Sequence, residues 1–554
     1  MTVVRMLSGR IGPDGVLIAH GVATIGTVAV TACGYVNGSD ESLAAVMADA
    51  WHRHRTSIPA VLDGQFAAAF SDSNGAGLVH DALGVVPLFW RDDADTLSFS
   101  TRLADLVHPD EVDRYDRTHV ARILTGATTT SLSTPWPAIR RLGPGQSLRW
   151  ERGRATIVNA WDLRRVEPLP DLSMLDVIDR YRSLVDASVA SAVDPSAPTW
   201  LGLSGGIDSA TVAAAIPPGR DLCAYTVVAP GWPEDEAKWA HLVADALDVP
   251  LVEVPVDDVL PLSAWPDAPL GEPTEEALTV SLTKRISSLL NTTSSTVALT
   301  GRGGDGFVGA AVSDVPSHLA DALFNGRPLT AIRSTLRWSS ASPAHRPTTY
   351  WLRRALFALA WSHIRRRPSL RPIAPWIEPD TALLSTPSTP SDALRCRLPS
   401  QQEFLLSVWG AATTVCDPAA TTSVVWRHPM LTREIFEFLW ALPWQYKRCA
   451  DEDRIVQRRA GAGRFPDEVR RRVSSPTGSR ALAVGLQRSP LIEELFDDSA
   501  LVRHGYVCGD RWRTALRQAQ VGQTHGDRNL VVSLSVECWL RQLDSLRVME
   551  RFSP

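Results

Sequence analysis

Short apolar runs that alternate with polar residues fill the first 165 positions of the chain. Examples are residues 15–18, 26–32, 66–70 and 96–100, with Gly, Asp and Asn between such runs. Alternation with a period of two places successive side chains on opposite faces of a strand, and the turn residues join neighbouring strands. The pattern predicts an antiparallel, β-rich domain over residues 1–165.

The hydrophobic pattern changes after this point. Residues 166–172 are typical of a linker, and a helix capped by Asp171 or Ser173 follows, with Leu175 among its apolar positions. Apolar strands then alternate with helices. The predicted order is strand 200–203, helix 210–216, strand 222–228, helix 234–247, strand 251–254 and, further on, strand 296–299. This alternation predicts an α/β fold in which residues 166–554 form a doubly wound parallel-sheet domain.

Length, composition and charge restrict the class of protein. A chain of 554 residues exceeds one ordinary core, and 44% hydrophobic with 21% charged residues describes a soluble globular protein. The formal net charge of −5 argues against a general nucleic-acid binder. The seven cysteines are odd in number and include no Cys-x-x-Cys pair, and no apolar run is long enough to span a membrane. We therefore expect a cytoplasmic protein without stable membrane insertion.

The most informative motif lies between the predicted strand 200–203 and the helix behind it. It reads Leu-Ser-Gly-Gly-Ile-Asp-Ser over residues 203–209. Its adjacent glycines let backbone N–H groups approach a ligand, its serines offer hydroxyls, and the helix presents its positive end. We interpret this segment, called the first turn below, as a cradle for phosphate.

Two other motifs overlap the first turn. The lysine-containing phosphate loop is excluded because no Lys lies nearby. Residues 202–206 also match Gly-x-Ser-x-Gly, the nucleophile elbow of α/β-hydrolases, with Ser204 as nucleophile. That match leaves Asp208 and Ser209 without a role, but a serine hydrolase stays an alternative.

A second glycine-rich segment, Thr-Gly-Arg-Gly-Gly-Asp-Gly over residues 300–306, follows the predicted strand 296–299. We call it the second turn. Alone it matches the dinucleotide motif Gly-x-Gly-x-x-Gly, and Asp321 stands where a ribose-binding acid would. It is followed by Phe-Val-Gly-Ala over residues 307–310 rather than by a clear crossover helix, which argues against a dinucleotide site.

Taken together, the two turns resemble the pyrophosphate loop and the Gly-acid-Gly-x-Asp-Glu signature of the N-type ATP pyrophosphatases, the group that includes asparagine synthetases. Residues 427–431 and 537–541 resemble further motifs of that family. The resemblance implies that Asp208 and Asp305 share one Mg²⁺ on the phosphates of ATP. It also implies that the nucleotide is contacted by Leu203, Ser204, Gly205, Gly206, Asp208, Ser209, Val227, Thr300, Gly301 and Gly303.

The first 165 residues resemble the N-terminal nucleophile (Ntn) glutaminase domain of the same family, through residues 62–67, 80–90 and 142–145. Those glutaminases use a cysteine that Met removal exposes. Here Thr2 follows Met1, and Cys33 lies in an apolar, strand-like stretch typical of a buried thiol. We expect a scaffold without glutaminase activity.

Without that nucleophile, the amine must come from the substrate or from free ammonia. Residues 303–305, 319–327 and 374–376 resemble segments of lasso peptide cyclases. That resemblance implies that ATP activates an Asp or Glu side chain of a precursor peptide, whose N-terminal amine then closes a macrolactam. It further implies a leader peptidase and a leader-binding protein as partners. Ligation as in β-lactam synthetases, or ammonia-dependent ligation as in asparagine synthetases, stays open.

Three positions depart from the family pattern. Arg302 replaces an acid, Gly306 replaces Glu, and Ser474 stands at the position of the catalytic Lys. Arg302 either contacts the phosphates and partly replaces the lysine, as we expect, or disables the site. The expected catalytic residues are thus Asp208, Asp305 and Arg302, and the alternative is a non-catalytic relative that binds a peptide or partner protein.

Overall fold

The structure is a computed structural model. It describes residues 6–38, 41–93, 95–126, 132–169, 172–194, 197–232, 236–257, 259–293, 295, 297–308, 315–341, 347–362, 372–384, 396, 398–414, 424–449, 451–472, 479–523 and 527–552. Thr2 and Ser474 lie outside these ranges.

The first part of the described chain forms two antiparallel sheets, as predicted. Their strands are β1 Ser8–Ile11, β2 Leu17–Ala19, β3 Ala23–Ile25, β4 Val28–Val36, β5 Gly64–Asp72, β6 Gly75–His80, β7 Phe89–Asp93, β8 Thr96–Ser100, β9 Arg140–Arg141, β10 Gln146–Glu151 and β11 Arg154–Asn159. One sheet has the order β2-β1-β8-β7-β9 and the other β11-β10-β6-β5-β4-β3. We call these strands together the N-terminal sandwich.

Alternation along β5 explains how the sandwich is layered. Ala67 and Ala69 face the five-stranded sheet and share a core with Cys33. Phe66 and Phe70 face the opposite side, where a helix over residues 43–54 covers the sheet, and Trp51 of that helix stacks on Phe70 with ring centroids 4.7 Å apart. A period of two therefore buries both faces of this central strand.

The later part of the chain contains a parallel sheet, which confirms the predicted α/β architecture. Its strands are β12 Thr199–Gly202, β13 Leu222–Val228, β14 Leu251–Pro255, β15 Val297–Leu299 and β16 Val425–Arg427, in the order β14-β13-β12-β15-β16. The chain proceeds outward from β12 in one direction and continues on its other side with β15. The gap between the carboxyl ends of β12 and β15 is thus a topological switch point, the usual ligand site of such sheets.

Helices surround both kinds of sheet. Their bounds are α1 Leu43–His54, α2 Arg117–Thr125, α3 Met174–Ala192, α4 Ile207–Ala213, α5 Ala237–Leu247, α6 Val280–Asn291, α7 Gly304–Phe307, α8 Val315–Phe324, α9 Pro328–Ala341, α10 Thr348–Ser362, α11 Pro379–Leu384, α12 Pro399–Thr414, α13 Arg433–Ala441, α14 Ile455–Ala460, α15 Asp467–Arg471, α16 Ser479–Arg488, α17 Ile492–Asp497, α18 Ala500–Arg503, α19 Gly509–Gln520 and α20 Asp527–Phe552. None that the described residues form is long and apolar enough to cross a membrane.

Both faces of the parallel sheet are buried. Leu201 and Leu299 lie in the large core that α3, α4 and α13 complete. Trp200 and Ala298 point the other way, into a smaller core with Ile286 of α6. Continuous apolar strands are typical of parallel sheets covered on both faces, and the doubly wound prediction is confirmed.

The first helix of this half begins as the sequence indicates. Ser173, not Asp171, is the N-cap of α3, and it exchanges hydrogen bonds with Asp176 in a capping box. The apolar positions Ile178, Leu184, Val185 and Val189 are buried, as the helical period predicts. The expected burial of Leu175 was wrong, because this side chain, at the start of α3, is 72% exposed.

The C-terminal helices form a second core that reaches the N-terminal sandwich. Glu537 of α20 is fully buried and accepts hydrogen bonds from Ser499 and from the backbone of Ala500 and Leu501 at the start of α18. Trp539, two residues on, packs edge-on against Tyr115. The segment 537–541 therefore has a structural role.

Candidate functional site

The first turn connects β12 to α4, and its shape requires glycine at one position. Gly205 has a φ of +68°, and a Cβ there would lie 2.6 Å from the backbone nitrogen of Ala240 in α5. A left-handed conformation and close helix packing both exclude larger residues. Gly206 then serves as N-cap of α4, so the first N–H groups of this helix face the turn.

The two hydroxyls of the first turn face each other. Ser204 Oγ lies 3.2 Å from Ser209 Oγ, and Ser209 Oγ also accepts a hydrogen bond from the backbone N–H of Ser204. The remaining partner of Ser204 Oγ is the N–H of Gly206 at 3.4 Å. Among the described residues no histidine contacts Ser204, so the structure offers this hydroxyl no general base of the kind a serine hydrolase needs.

The two turns meet at the switch point of the sheet. A Cβ on Gly301 would lie 2.5 Å from the backbone nitrogen of Ser209, and a Cβ on Gly304 would overlap the carboxylate of Asp208. Only the absence of side chains at these glycines lets the second turn approach the first so closely. Sequence reasoning identified both turns, and the structure brings them together.

The carboxylate of Asp208 is held by two residues that sequence reasoning did not assign to the site. Gln457 Nε2 donates a hydrogen bond to Oδ1 at 2.6 Å, and Arg454 Nη1 lies 3.6 Å from Oδ2. Both come from the segment around α14, and Arg454 is its N-cap with a φ of +51°. No local sequence motif indicates that either of these side chains faces Asp208.

The second turn rests on the segment that follows β16. Thr300 Oγ1 lies 2.7 Å from Nδ1 of His428, and the N–H of Thr300 donates to the carbonyl of Arg427. Gly303 has a φ of +102°, and a Cβ there would overlap the side chain of Leu431. We call residues 428–431 the support turn. Burial lowers the pKa of His428 to about 3, and the charge of Arg302 acts in the same direction, so His428 is neutral at pH 7.

Arg302 lies exposed on the second turn. Its charge is close enough to Glu276 to oppose the burial that raises the pKa of that carboxyl. The structure thus gives Arg302 a position at the rim of the switch point. Whether it contacts phosphate, as the sequence predicts, stays a prediction.

The structure describes some of the other predicted site residues fully and others only in part. Leu203 is buried and donates its N–H to the carbonyl of Tyr225, while Val227 lies partly exposed near the carboxyl end of β13. The backbone of Asp305 belongs to the short helix α7, directly after Gly304. Its side chain, like Ser474, lies outside the described residues, so the predicted metal pairing of Asp208 with Asp305 stays a prediction.

The arginine-rich end of α15 divides into two parts. Arg470 and Arg471 form ion pairs with Asp467 of the same helix. Arg472 instead pairs with Glu236 and reaches the carbonyl of Gly205 in the first turn at 3.5 Å. Arg472 therefore brings positive charge beside the candidate phosphate cradle. Arg471 remains solvated, whereas Arg470 is mostly buried against the carbonyl of Arg458.

A magnesium ion fits the residues present. Gln457 is fully buried, and its Oε1 has no hydrogen-bond partner among the described residues, although Nε2 of the same amide is bonded to Asp208. A buried orphan acceptor beside a carboxylate suits a hydrated cation. No cluster of three or more His, Cys, Asp or Glu in the described ranges could hold a metal alone. Mg²⁺ typically takes one or two carboxylates and completes its shell with phosphates and water.

The N-terminal sandwich contains one cysteine, Cys33, on β4. It is buried between the two sheets, and burial raises the pKa of its thiol to about 12. Only the thiolate is nucleophilic, so Cys33 cannot attack glutamine at neutral pH. This confirms the sequence interpretation of Cys33 as a buried thiol.

Comparisons with known proteins agree with this geometry. The asparagine synthase family profile matches residues 180–541, and the glutamine amidotransferase domain profile matches residues 37–161. Asparagine synthetase [glutamine-hydrolyzing] 3 from Bacillus subtilis (strain 168) is 23% identical over 75% of this chain and 67% of its own length. Asparagine synthetase [glutamine-hydrolyzing] 2 from the same strain is 30% identical over 34% of this chain and 27% of its own length.

The comparison with solved structures adds a distant likeness. Glutamine phosphoribosylpyrophosphate amidotransferase from B. subtilis, complexed with ADP and GMP, shares 12% identity at a TM-score of 0.18, over 42% of this chain and 46% of that one. The match of the synthetase profile, in contrast, covers well over half of the present sequence and includes both turns. The chain therefore belongs to the asparagine synthase family of ATP-dependent, amide-forming ligases.

Proposed function

We propose that this protein is a lasso-type peptide cyclase, which uses ATP to join a side-chain carboxylate of a precursor peptide to the amine at the peptide's N-terminus. The observation that carries the proposal is that the two turns meet at Asp208 while Cys33, the one cysteine of the N-terminal sandwich, is buried. Without a reactive thiolate in the sandwich, the amine comes from the substrate or from free ammonia. We assign it to the substrate because residues 303–305, 319–327 and 374–376 resemble lasso peptide cyclases.

The reaction proceeds in two steps. A carboxylate oxygen of the peptide attacks the α-phosphorus of ATP, an O–P bond forms, and pyrophosphate leaves as the α–β bridge breaks. The amine nitrogen then attacks the acyl carbon, the C–N bond forms, and AMP leaves while the amine loses a proton. Bound Mg²⁺ would supply positive charge to the leaving phosphates.

The residues of the two turns perform the binding. Backbone N–H groups at the start of α4 and the hydroxyls of Ser204 and Ser209 hold the leaving pyrophosphate. Asp208, fixed by Gln457, presents its carboxylate to the metal, with Asp305 as its proposed partner. Arg472 and Arg454 add positive charge at the first turn, which compensates in part for Ser474 at the position of the family's lysine.

A cavity of about 230 Å³ beside the second turn supports a substrate with bulky side chains. Phe307, the last residue of α7, lines it together with Trp440, Trp444 and Lys447. One short helix thus joins the cavity to Gly304, which touches Asp208. Aromatic walls with a few polar groups are typical of sites that bind organic substrates, and we assign this cavity to the peptide.

Ring closure is mainly an entropic problem, because the N-terminal amine must reach the adenylated side-chain carboxyl carbon of the same peptide. A partly enclosed cavity would hold one portion of the chain while the two turns activate the other. A leader peptidase that frees the amine and a leader-binding protein that delivers the peptide are the proposed partners. Both follow from the resemblance to lasso cyclases in residues 319–327 and 374–376.

Mass spectrometry tests the proposal directly. A leader-free precursor peptide incubated with the protein, ATP and Mg²⁺ should lose the mass of one water, with one AMP formed per ring. An Asp208→Asn variant should form no ring, because the metal loses a charged ligand. ATP-dependent addition of free ammonia to a small carboxylate would favour an ammonia-dependent ligase instead. Peptide binding without AMP formation would contradict the proposal and favour a non-catalytic relative.

A further inference from the structure

One buried side chain of the N-terminal sandwich holds the segment on which the second turn rests. Gln65, at the start of β5, is 3% exposed. Its Nε2 donates hydrogen bonds to the carbonyls of His428 at 2.5 Å and Leu431 at 3.2 Å, and its Oε1 accepts one from the N–H of His428 at 3.1 Å. The amide thereby binds both ends of the support turn, across a separation of more than 360 residues.

A neighbouring carboxylate fixes the helix that follows. Thr432 is the N-cap of α13, but its side chain makes no capping bond. Asp63 takes that role from the sandwich, because its Oδ1 accepts the N–H of Arg433 at 2.7 Å. Asn37 bonds the other oxygen of Asp63 and orients it. A carboxylate at a helix N-terminus satisfies otherwise unpaired N–H groups and favours the helix dipole.

The opposite side of the support turn contacts the second turn. His428 meets Thr300 side chain to side chain, and Leu431 packs against Gly303 so closely that no Cβ fits there. The second turn also places Gly304 against Asp208. A continuous series of contacts therefore joins Gln65 to the carboxylate at the centre of the site.

We infer that Gln65 is a positioning residue for the ATP site, and that the N-terminal sandwich is part of the synthetase site. The sandwich fixes the support turn, the support turn fixes the second turn, and the second turn fixes the space between Gly304 and Asp208. This explains why a glutaminase-like domain with a buried, protonated cysteine is still fused to the synthetase. The inference rests on nucleotide binding by the two turns and does not depend on which substrate is adenylated.

A Gln65→Met substitution tests the inference, since methionine keeps the length of the side chain but cannot make the three hydrogen bonds. Unpaired carbonyls at residues 428 and 431 should loosen the support turn, and we expect Mg-ATP to bind about tenfold more weakly. Isothermal titration of Mg-ATP gives the dissociation constant. Hydrogen exchange of the backbone at residues 300–304 should become faster in the same variant.

The chain supplies a matched control at Gln542. Its Nε2 donates to the carbonyls of Pro266 and Ala268, and its Oε1 accepts the N–H of Leu270, so it makes the same three kinds of bond as Gln65. Gln542 lies on α20, and none of its three partners belongs to either turn or to the support turn. Gln542→Met should lower thermal stability yet leave Mg-ATP affinity within about twofold of the wild type, because its bonds hold residues 266–270 and not the support turn.

A double-mutant cycle separates positioning from general destabilisation. Thr300→Val removes the hydroxyl that meets His428 while keeping the shape of the side chain. If Gln65 acts through His428 on Thr300, the combined variant should weaken Mg-ATP binding by less than the product of the two single effects. Should Gln65→Met fail to fold, Asp63→Asn is a milder variant for the same titration, since it removes the charge but keeps the acceptor oxygen at the start of α13.

The outcomes differ for this inference and for the proposed function. Equal Mg-ATP affinities of the wild type and Gln65→Met would overturn the inference alone, and so would fully multiplicative effects in the cycle. A wild-type protein that binds no Mg-ATP would overturn both. Weaker binding by Gln65→Met and unchanged binding by Gln542→Met would support the inference even if no peptide is cyclised.

Discussion

Gln457 donates a hydrogen bond from Nε2 to Oδ1 of Asp208 over 2.6 Å, although 249 residues separate the two along the chain. The bond fixes one oxygen of the carboxylate that the first turn places at the switch point. The oxygen of the same amide, Oε1, is buried without a hydrogen-bond partner among the described residues. The hydrogen bond between these two residues therefore determines how the Asp208 carboxylate is oriented for the proposed metal ion.

A Gln457→Met variant should need more Mg²⁺ for the same activity. The carboxylate of Asp208 loses its closest donor and gains rotational freedom, so we expect the Mg²⁺ concentration for half-maximal AMP formation to rise about tenfold. Gln520→Met is the control, because Gln520 bonds the carbonyl of Leu486, away from the two turns. An unchanged Mg²⁺ requirement in Gln457→Met would contradict the assigned role.

Gly304→Ala should disable the site without unfolding the protein. A methyl group at this position would overlap the carboxylate of Asp208, so this side chain must leave its position or the two turns must move apart. Displacement of reacting groups by about 1 Å can cost on the order of a hundredfold in rate, and we expect a loss of AMP formation of that size. In Gly410→Ala, where no atom lies within 4 Å of the added carbon, activity should stay as in the wild type.

Cys33 should resist alkylation in the native protein. Its pKa of about 12 leaves almost no thiolate at pH 8, and the two sheets exclude the reagent. The exposed Cys449 serves as an internal control and should react with iodoacetamide under the same conditions. Peptide mapping by mass spectrometry measures both sites. Labelling of Cys33 at the rate of Cys449 in folded protein would refute the buried-thiol assignment.

Two buried histidines predict that the fold loses stability in mild acid. Burial lowers the pKa of His80 to about 4 and that of His428 to about 3, and the charges of Arg141 and Arg302 act in the same direction. In the unfolded chain histidine titrates near 6.5. Between pH 6.5 and about 4 the unfolded state therefore binds protons that the folded state does not. Each histidine should lower the free energy of unfolding by about 1.4 kcal/mol per pH unit as pH falls through this window.

Urea unfolding at several pH values measures that slope. His80→Gln should reduce the slope by the contribution of one histidine, since glutamine can still donate to the carbonyl of Gly143 but does not titrate. A slope that His80→Gln does not alter would show that this residue is charged in the folded protein.

The first turn shows how much structure a short stretch of sequence can specify. A strand, two glycines, two serines and a helix start within ten residues fix the shape of the candidate phosphate cradle, because backbone conformation and hydrogen bonding there involve near neighbours. The same holds for the Ser173 cap of α3 and for the alternation along β5. The burial of Leu175 was predicted wrongly because the helical period alone does not tell which apolar residues at the start of a helix contact a neighbouring element.

The sequence by itself determined both turns, the antiparallel and parallel sheets, and the burial of Cys33, since each depends on residues that are close along the chain. Only the tertiary structure decided that β15 pairs with β12, which places Gly304 against Asp208. It alone brought Gln457 to Asp208 and Gln65 to His428. Those contacts follow from strand order and helix packing, and side chains hundreds of residues apart carry no local pattern that specifies them.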